Sequence, residues 1–275
     1  MSTSSKKSDA PQPAHTPVLL TVVGRQRTGK TTFLNALAET VALRGGRTEI
    51  WNTDMLNTTN SIQRFHSDAQ SPPYLGNTDQ TIWLDEKIAS LVETPRDVLL
   101  DIGGGWTAFH DMITTTTILS DLKDFGIRPV VAYMFGPDPA DADYLADLQR
   151  HKSFHGSDSI LVFNRGLIPP GTSQHTAFKP AFESLSVREA VNAGASTAML
   201  PELLTMPKVL KSGASFTLYG EKHHGAGPQA GNFMDRLRVN RWFNDEFVKF
   251  LREIDPTRLP AMPSGLDILP ARHSA

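Results

Sequence analysis

The sequence predicts an α/β fold, a mostly parallel sheet with helices on both faces. Short apolar runs alternate with helical patterns along most of the chain, which implies right-handed βαβ units. The runs are apolar almost throughout, as strands buried on both faces are. The first of them passes through a glycine-bearing turn straight into a helical pattern.

"PVLLTVVG" (17–24) is short, apolar and β-branched, and reads as the first strand. In "TTFLNALAETVALRGG" the residues Phe33, Leu34, Leu37, Ala38 and Val41 recur at helical spacing, and Gly45 and Gly46 stop the helix. "RTEIWNTD" (47–54), "DVLLDIGGG" (97–105), "IRPVVAYMFG" (127–136), "SILVFNRG" (159–166) and "STAMLPEL" (196–203) supply the further strands. "DADYLADLQRH" is one of the helical patterns between them. Segment 231–253 reads as a final amphipathic helix with Phe243, Phe247, Phe250 and Leu251 on one face. One domain is expected over 17–254. Before it, 1–16 has the Ser, Lys and Pro content of a disordered tail. After it, the proline-rich 255–275 is expected to be a loosely packed extension.

The chemistry is narrowed first by what is missing. The chain contains no cysteine, which removes disulfides, thiolate catalysis, zinc–cysteine sites and iron–sulfur clusters, and is compatible with a cytoplasmic location. No apolar run approaches the roughly 20 residues of a membrane helix, and the N-terminus does not read as a signal peptide. A net charge of -2 argues against a chain coated in nucleic acid, while leaving room for a local basic patch.

Gly24-Arg25-Gln26-Arg27-Thr28-Gly29-Lys30-Thr31 satisfies G-x-x-x-x-G-K-[ST], with a strand before it and a helix after it. Such a loop turns consecutive N–H groups toward phosphate oxygens at the positive end of a helix. Lys30 is expected to reach the β- and γ-phosphates and the Thr31 hydroxyl to ligate Mg²⁺. Asp101 closes the run "VLL" before Gly103, Gly104 and Gly105, as a carboxylate that holds the metal through water would. Asp54, at the end of the second strand, is placed to orient an attacking water.

Taken together, these segments resemble the ParA/MinD group of deviant-Walker ATPases over most of residues 17–220. That family's loop reads G-K-G-G-x-G-K-[ST]-T, and here it is Gly24-Arg25-Gln26-Arg27-Thr28-Gly29-Lys30-Thr31-Thr32. Its D-x-D at the end of the second strand is Asn52-Thr53-Asp54 here, and its Walker B strand matches "LLDIGGG". "SILVFNR" resembles the strand ending in Asn-Arg, so Asn164 inherits a contact with adenine and Arg165 stands beside it. "AMLPELLTMPKVLKSGASFTLY" resembles the family's Ile-Pro segment, with Pro201 and Gly213 as landmarks. No Asn-Lys-x-Asp guanine signature replaces "FNRG", so ATP is favoured over GTP.

The resemblance implies an ATP-dependent homodimer in which a lysine at the position of Arg25 reaches the partner's phosphates. An arginine can do the same through two donors. Two alternatives stay open: Arg25 contacts its own nucleotide or solvent, or Arg27 serves instead. Asn52 stands where the family has an aspartate that helps hold the magnesium shell, which implies weaker metal binding or slow turnover.

Family members use ATP binding to pair and hydrolysis to separate, attaching meanwhile to DNA or a membrane. A role in plasmid or chromosome partition, plasmid mobilisation or conjugal transfer is expected, with non-specific DNA binding and a partner protein that stimulates hydrolysis. Lys208, Lys211, Lys222, Arg236, Arg238 and Arg241 are the candidate phosphate contacts. Membrane attachment through 231–253 is disfavoured, since Asp235, Asp245, Glu246 and Glu253 offset its arginines. Two rivals remain: a small-molecule enzyme of the dethiobiotin synthetase-like kind, drawing on His110 and Asp111, and an ATP-gated binding module with little hydrolysis. His223 and His224 read as exposed loop residues.

Overall fold

In the computed structural model, which describes residues 15–54, 61–74, 76–103, 118–150, 156–221 and 231–266, each apolar run becomes a parallel strand. The strands are β1 Val18–Val23, β2 Glu49–Asn52, β3 Val98–Asp101, β4 Arg128–Phe135, β5 Ser159–Asn164 and β6 Ser196–Leu200. They form one sheet in the order β2-β3-β1-β4-β5-β6. The order reverses between β1 and β4, so the carboxyl ends of these central strands open the crevice where such sheets take ligands.

Alternate residues of one strand feed two separate cores. Val18, Leu20 and Val22 of β1, Val130, Ala132 and Met134 of β4 and Ile160 and Val162 of β5 join the first core. Leu19, Val131, Tyr133, Phe135, Leu161 and Phe163 face the second. Helix α1 (Lys30–Leu43) covers the first core through Phe33, Leu34, Leu37 and Val41. Helices α2 (Asn77–Glu93), α4 (Ala140–Arg150), α5 (Gln174–Glu183) and α6 (Leu185–Asn192) cover the second, while α3 (Ile118–Asp124) adds Leu122 to it. The expected double cover of a parallel sheet is what forms.

The C-terminal third returns to the first core. It runs through α7 (Met206–Ser212), α8 (Phe216–Gly220), α9 (Phe233–Arg241), a π-helical turn Trp242–Glu246 and α10 (Phe247–Arg252). Phe243, Phe247, Phe250 and Leu251 are buried there, as the apolar face of 231–253 predicted. The buried Glu39 carboxylate of α1 accepts the backbone N–H groups of Phe216 and Thr217, both at 2.7 Å. A carboxylate so placed satisfies the orphan donors at the start of α8.

Loose packing after residue 254 is not what the described residues show. Leu259 is buried, Met262 and Leu266 pack on the first core, and Gly46 lies so close that a Cβ there would sit 2.0 Å from the Ala261 carbonyl. The Arg258 guanidinium is buried and donates to the carbonyls of Ser159 (3.0 Å) and Gly194 (2.6 Å) and to the Ser196 hydroxyl (2.6 Å). The Asp97 carboxylate, at the start of β3, accepts Val18 N and Ala261 N, both at 2.8 Å, and pairs with His15. Prolines in 255–275 signalled an irregular path; they carried no information about what that path rests on.

Replacing Arg258 by Ala removes a buried fork of three hydrogen bonds, and a loss of about 3 kcal/mol is expected. Urea denaturation should show it, with Arg258→Lys recovering only part because an ammonium cannot span the three acceptors.

Candidate nucleotide-binding site

The phosphate loop begins where β1 ends, at the crevice between β1 and β4. Gly24 has φ +143°, and a Cβ on it would meet the Met134 carbonyl at 2.8 Å. Gly29 has φ +98°, and its Cβ would fall 2.5 Å from the Asn164 amide nitrogen. Neither position accepts a side chain. Between them Arg27 has φ +64°, the one left-handed non-glycine among the described residues. That conformation costs an L-residue about 1 kcal/mol, so an arginine here sits where glycine is the relaxed choice.

The loop is held from inside and from the neighbouring strand. The Thr28 hydroxyl donates to the Arg25 carbonyl at 2.8 Å. Asn164, at the end of β5, donates its side-chain N–H to the Thr28 carbonyl at 2.9 Å and accepts from Gly166 N at 3.0 Å. Its amide is therefore a brace for the loop, in addition to lining the cleft described below. Lys30 donates to the carbonyls of Gly24 and Arg25, both at 3.0 Å. Burial lowers the pKa of this ammonium, against the opposing pull of Asp101, Asp54 and Asp141.

Asp101 is fully buried at the end of β3, and neither carboxylate oxygen has a hydrogen-bond partner. Burial pushes its pKa up to about 6, Asp54 adds to the rise, and Thr31 and Lys30 oppose it. Thr31 is thus near enough to favour the anion without satisfying it in hydrogen-bonding geometry. Asp54 stands across from Gly103, where a Cβ would lie 2.9 Å from its Oδ1. Asn52 fixes the turn that carries Asp54: its Oδ1 accepts Asp54 N at 3.1 Å, and its Nδ2 donates to Ser61 at 3.2 Å and Ser71 at 3.4 Å.

An orphaned buried carboxylate beside a threonine hydroxyl and a lysine fits a magnesium–phosphate group. No cluster of three or more His or acidic side chains among the described residues could hold an ion alone. Mg²⁺ usually keeps its waters and takes few protein ligands besides phosphate oxygens. Thr31 and Asp101 would hold it here.

A cleft of about 760 Å³ extends from the loop. Arg27, Gly29 and Thr32 form its loop end, Asn164 and Gly166 one wall, and Pro201, Leu203 and Met206 the other. Trp242 lines it too, its indole N–H donating to the Pro201 carbonyl at 2.9 Å. Sequence reading named Arg27, Thr32, Asn164 and Pro201 but missed Trp242 and Arg64, which line the same cleft. A helical tryptophan looks like core, and Trp242 is buried in the first core while also lining the cleft. Arg165 is exposed and lies outside the lining residues.

Arg25 is exposed and pairs within its own chain, with Asp138 at 2.5 Å and Asp141 at 3.6 Å. Three of the candidate DNA-contacting cations also have acidic partners: Lys208 and Arg238 with Asp235, and Arg241 with Glu246. Gly104, Gly105, His110, Asp111, Lys222, His223 and His224 lie outside the described residues.

The folded pKa of Asp101 exceeds its ordinary 3.8, so the metal-free fold loses stability as pH rises from about 4 to about 6 and stays lower above. Asp101→Asn should therefore stabilise the chelator-treated protein by about 3 kcal/mol at pH 8 and not at pH 4, read by urea melts at both. Arg27→Gly should gain about 1 kcal/mol by relaxing φ, yet weaken nucleotide binding by removing a cation from the cleft. Thermal melts with and without nucleotide separate the two effects.

No protein-family model matches the chain, and no curated protein matches it. Among solved structures it is similar to the cell division protein FtsY of Thermotoga maritima, at 13% identity and a TM-score of 0.42, covering 85% of this chain and 70% of that one. It is also similar to the MinD cell division protein of Aquifex aeolicus, at 12% identity and a TM-score of 0.41, covering 83% of this chain and 97% of that one. The chain itself is an α/β protein with a parallel sheet and a phosphate loop after its first strand.

Proposed function

We propose that this chain is a magnesium-dependent ATPase of the ParA/MinD-like kind, a switch that pairs with a second copy of itself when ATP is bound. The observation that carries the reading is Asp101, a fully buried carboxylate with no hydrogen-bond partner, close to Lys30 and Thr31 at the end of the phosphate loop. Burying such a group unsatisfied is costly unless a ligand completes it. Bound magnesium would neutralise charge developing on the phosphates. Lys30, held on two loop carbonyls, exchanges them for phosphate oxygens. Asp54, oriented by Asn52, holds the water that attacks.

Asn52 has each of its side-chain polar atoms engaged by the protein, which suits a scaffold for Asp54 and slow turnover in the absence of a partner protein. The family-like Asn164 and the absence of a guanine-reading Asn-Lys-x-Asp motif favour ATP over GTP. Arg25 supports pairing through its exposure. Its salt bridge to Asp138 is of the solvent-exposed kind that contributes little, and its contact with the buried Asp141 is long at 3.6 Å, so a partner's phosphates can compete for it. Non-specific DNA is the proposed cargo-side partner of the paired form, in a partition or mobilisation role. The acidic partners of Lys208, Arg238 and Arg241 imply that such binding is salt-sensitive and modest.

Sedimentation with Mg-ATP, with Mg-ADP and with chelator tests the reading. Wild type should dimerise with ATP alone, and Arg25→Ala should bind ATP yet stay monomeric. Short duplex DNA added to the ATP form should co-sediment at low salt and be released as salt rises. A wild type that binds Mg-ATP and remains monomeric defeats the switch reading.

A further inference from the structure

We infer that Asn164 is a positioning residue of the phosphate site: its hold on the Thr28 carbonyl sets the loop's affinity for phosphates, whatever base they carry. The inference rests on the phosphate-loop reading and needs neither a located base nor pairing. Asn164 is buried at the end of β5, opposite Leu200 of β6, on a strand hydrogen-bonded to neighbours on both sides. Its side chain joins two segments. The Oδ1 accepts Gly166 N at 3.0 Å and caps the 3₁₀ turn Arg165–Leu167, while the Nδ2 donates to the Thr28 carbonyl at 2.9 Å. That turn is itself fixed, because Leu167 packs on Gly136, where a Cβ would meet it at 3.2 Å.

The bond to Thr28 acts on one peptide unit. In a trans peptide the carbonyl and the following N–H point in opposite directions. Holding the Thr28 carbonyl toward Asn164 therefore turns the Gly29 N–H away from it, and this N–H belongs to the set with which such a loop grips phosphate. Sterics alone do not fix the unit. Gly29, at φ +98°, tolerates φ of either sign, so the Thr28–Gly29 peptide has no side chain of its own to stop it flipping. Glycine also makes the bond possible, since a Cβ would fall 2.5 Å from the Asn164 Nδ2. Removing the amide takes this partner from a buried carbonyl, and a flip that pairs the carbonyl elsewhere re-aims the Gly29 N–H.

Inorganic tripolyphosphate tests the role directly, because it fills the loop and carries no base. Calorimetry with Mg-tripolyphosphate and with Mg-ATP would be run on wild type, Asn164→Ala and Asn164→Ser, at a temperature where all three are folded. Serine still caps a turn, but its shorter side chain falls short of Thr28. Both variants should bind tripolyphosphate about tenfold more weakly, and ATP more weakly by at least that factor. A bond that served stability alone would lower the melting temperature and leave the affinity of the folded protein unchanged. Unchanged tripolyphosphate affinity in Asn164→Ala, with or without a loss for ATP, would overturn the inference. So would wild-type affinity in Asn164→Ser, which assigns the effect to the Gly166 cap. Failure of wild type to bind either ligand would overturn the phosphate-site reading itself, and this inference with it.

Discussion

A carboxylate with nowhere to put its charge organises this protein. Asp101 is buried at the end of a central strand, and its surroundings repel its ionised form. The fold tolerates that cost because β3 is clamped between β1 and β2, with both faces covered. The strand cannot shift to let the side chain reach water. What can change is the loop opposite, where Lys30 is fastened only to two carbonyls and Thr31 waits beside the acid. Electrostatic frustration on a rigid strand faces a movable set of donors, and a ligand that brings a cation relieves it.

The rest of the cleft is assembled from distant parts of the chain, each fixed by one buried polar contact. Glu39 of α1 caps α8, so the helix after the phosphate loop also places the segment that follows α7. Trp242 holds the Pro201 carbonyl, which ties the C-terminal helices to the end of β6. Asn164 supports the loop from the neighbouring strand. These bonds are few, buried and between elements far apart in sequence, so each is worth more than an exposed one.

Much of this was legible in the sequence, for identifiable reasons. The central strands are buried on both faces and so apolar almost throughout, and with the two more polar edge runs, β2 and β6, six runs became six strands. The phosphate loop declared itself because its glycines answer to steric demands, confirmed at Gly24 and Gly29. Side-chain partnerships were not legible. Nothing in the order of residues says that Asp138 follows β4 into reach of Arg25, that Arg258 forks across β5 and β6, or that Trp242 of the C-terminal helices lines the cleft. Prolines after residue 254 suggested a loose end, yet a proline-rich path without regular structure can still be nailed down by one guanidinium and one carboxylate.

β3 and the residue before it carry two acids with opposite histories. Asp97, at the entrance, has its oxygens filled by the backbones of Val18 and Ala261 and by His15. Asp101, at the exit, has none. A four-residue strand separates a saturated anion from a hungry one, and each sits on an opposite rim of the sheet. Natural variation at the two acids should accordingly obey different selection: drift at Asp97 would be purged by the quality control that monitors folding, whereas drift at Asp101 would leave an abundant, well-folded protein that only a test of the proposed activity could tell from the original.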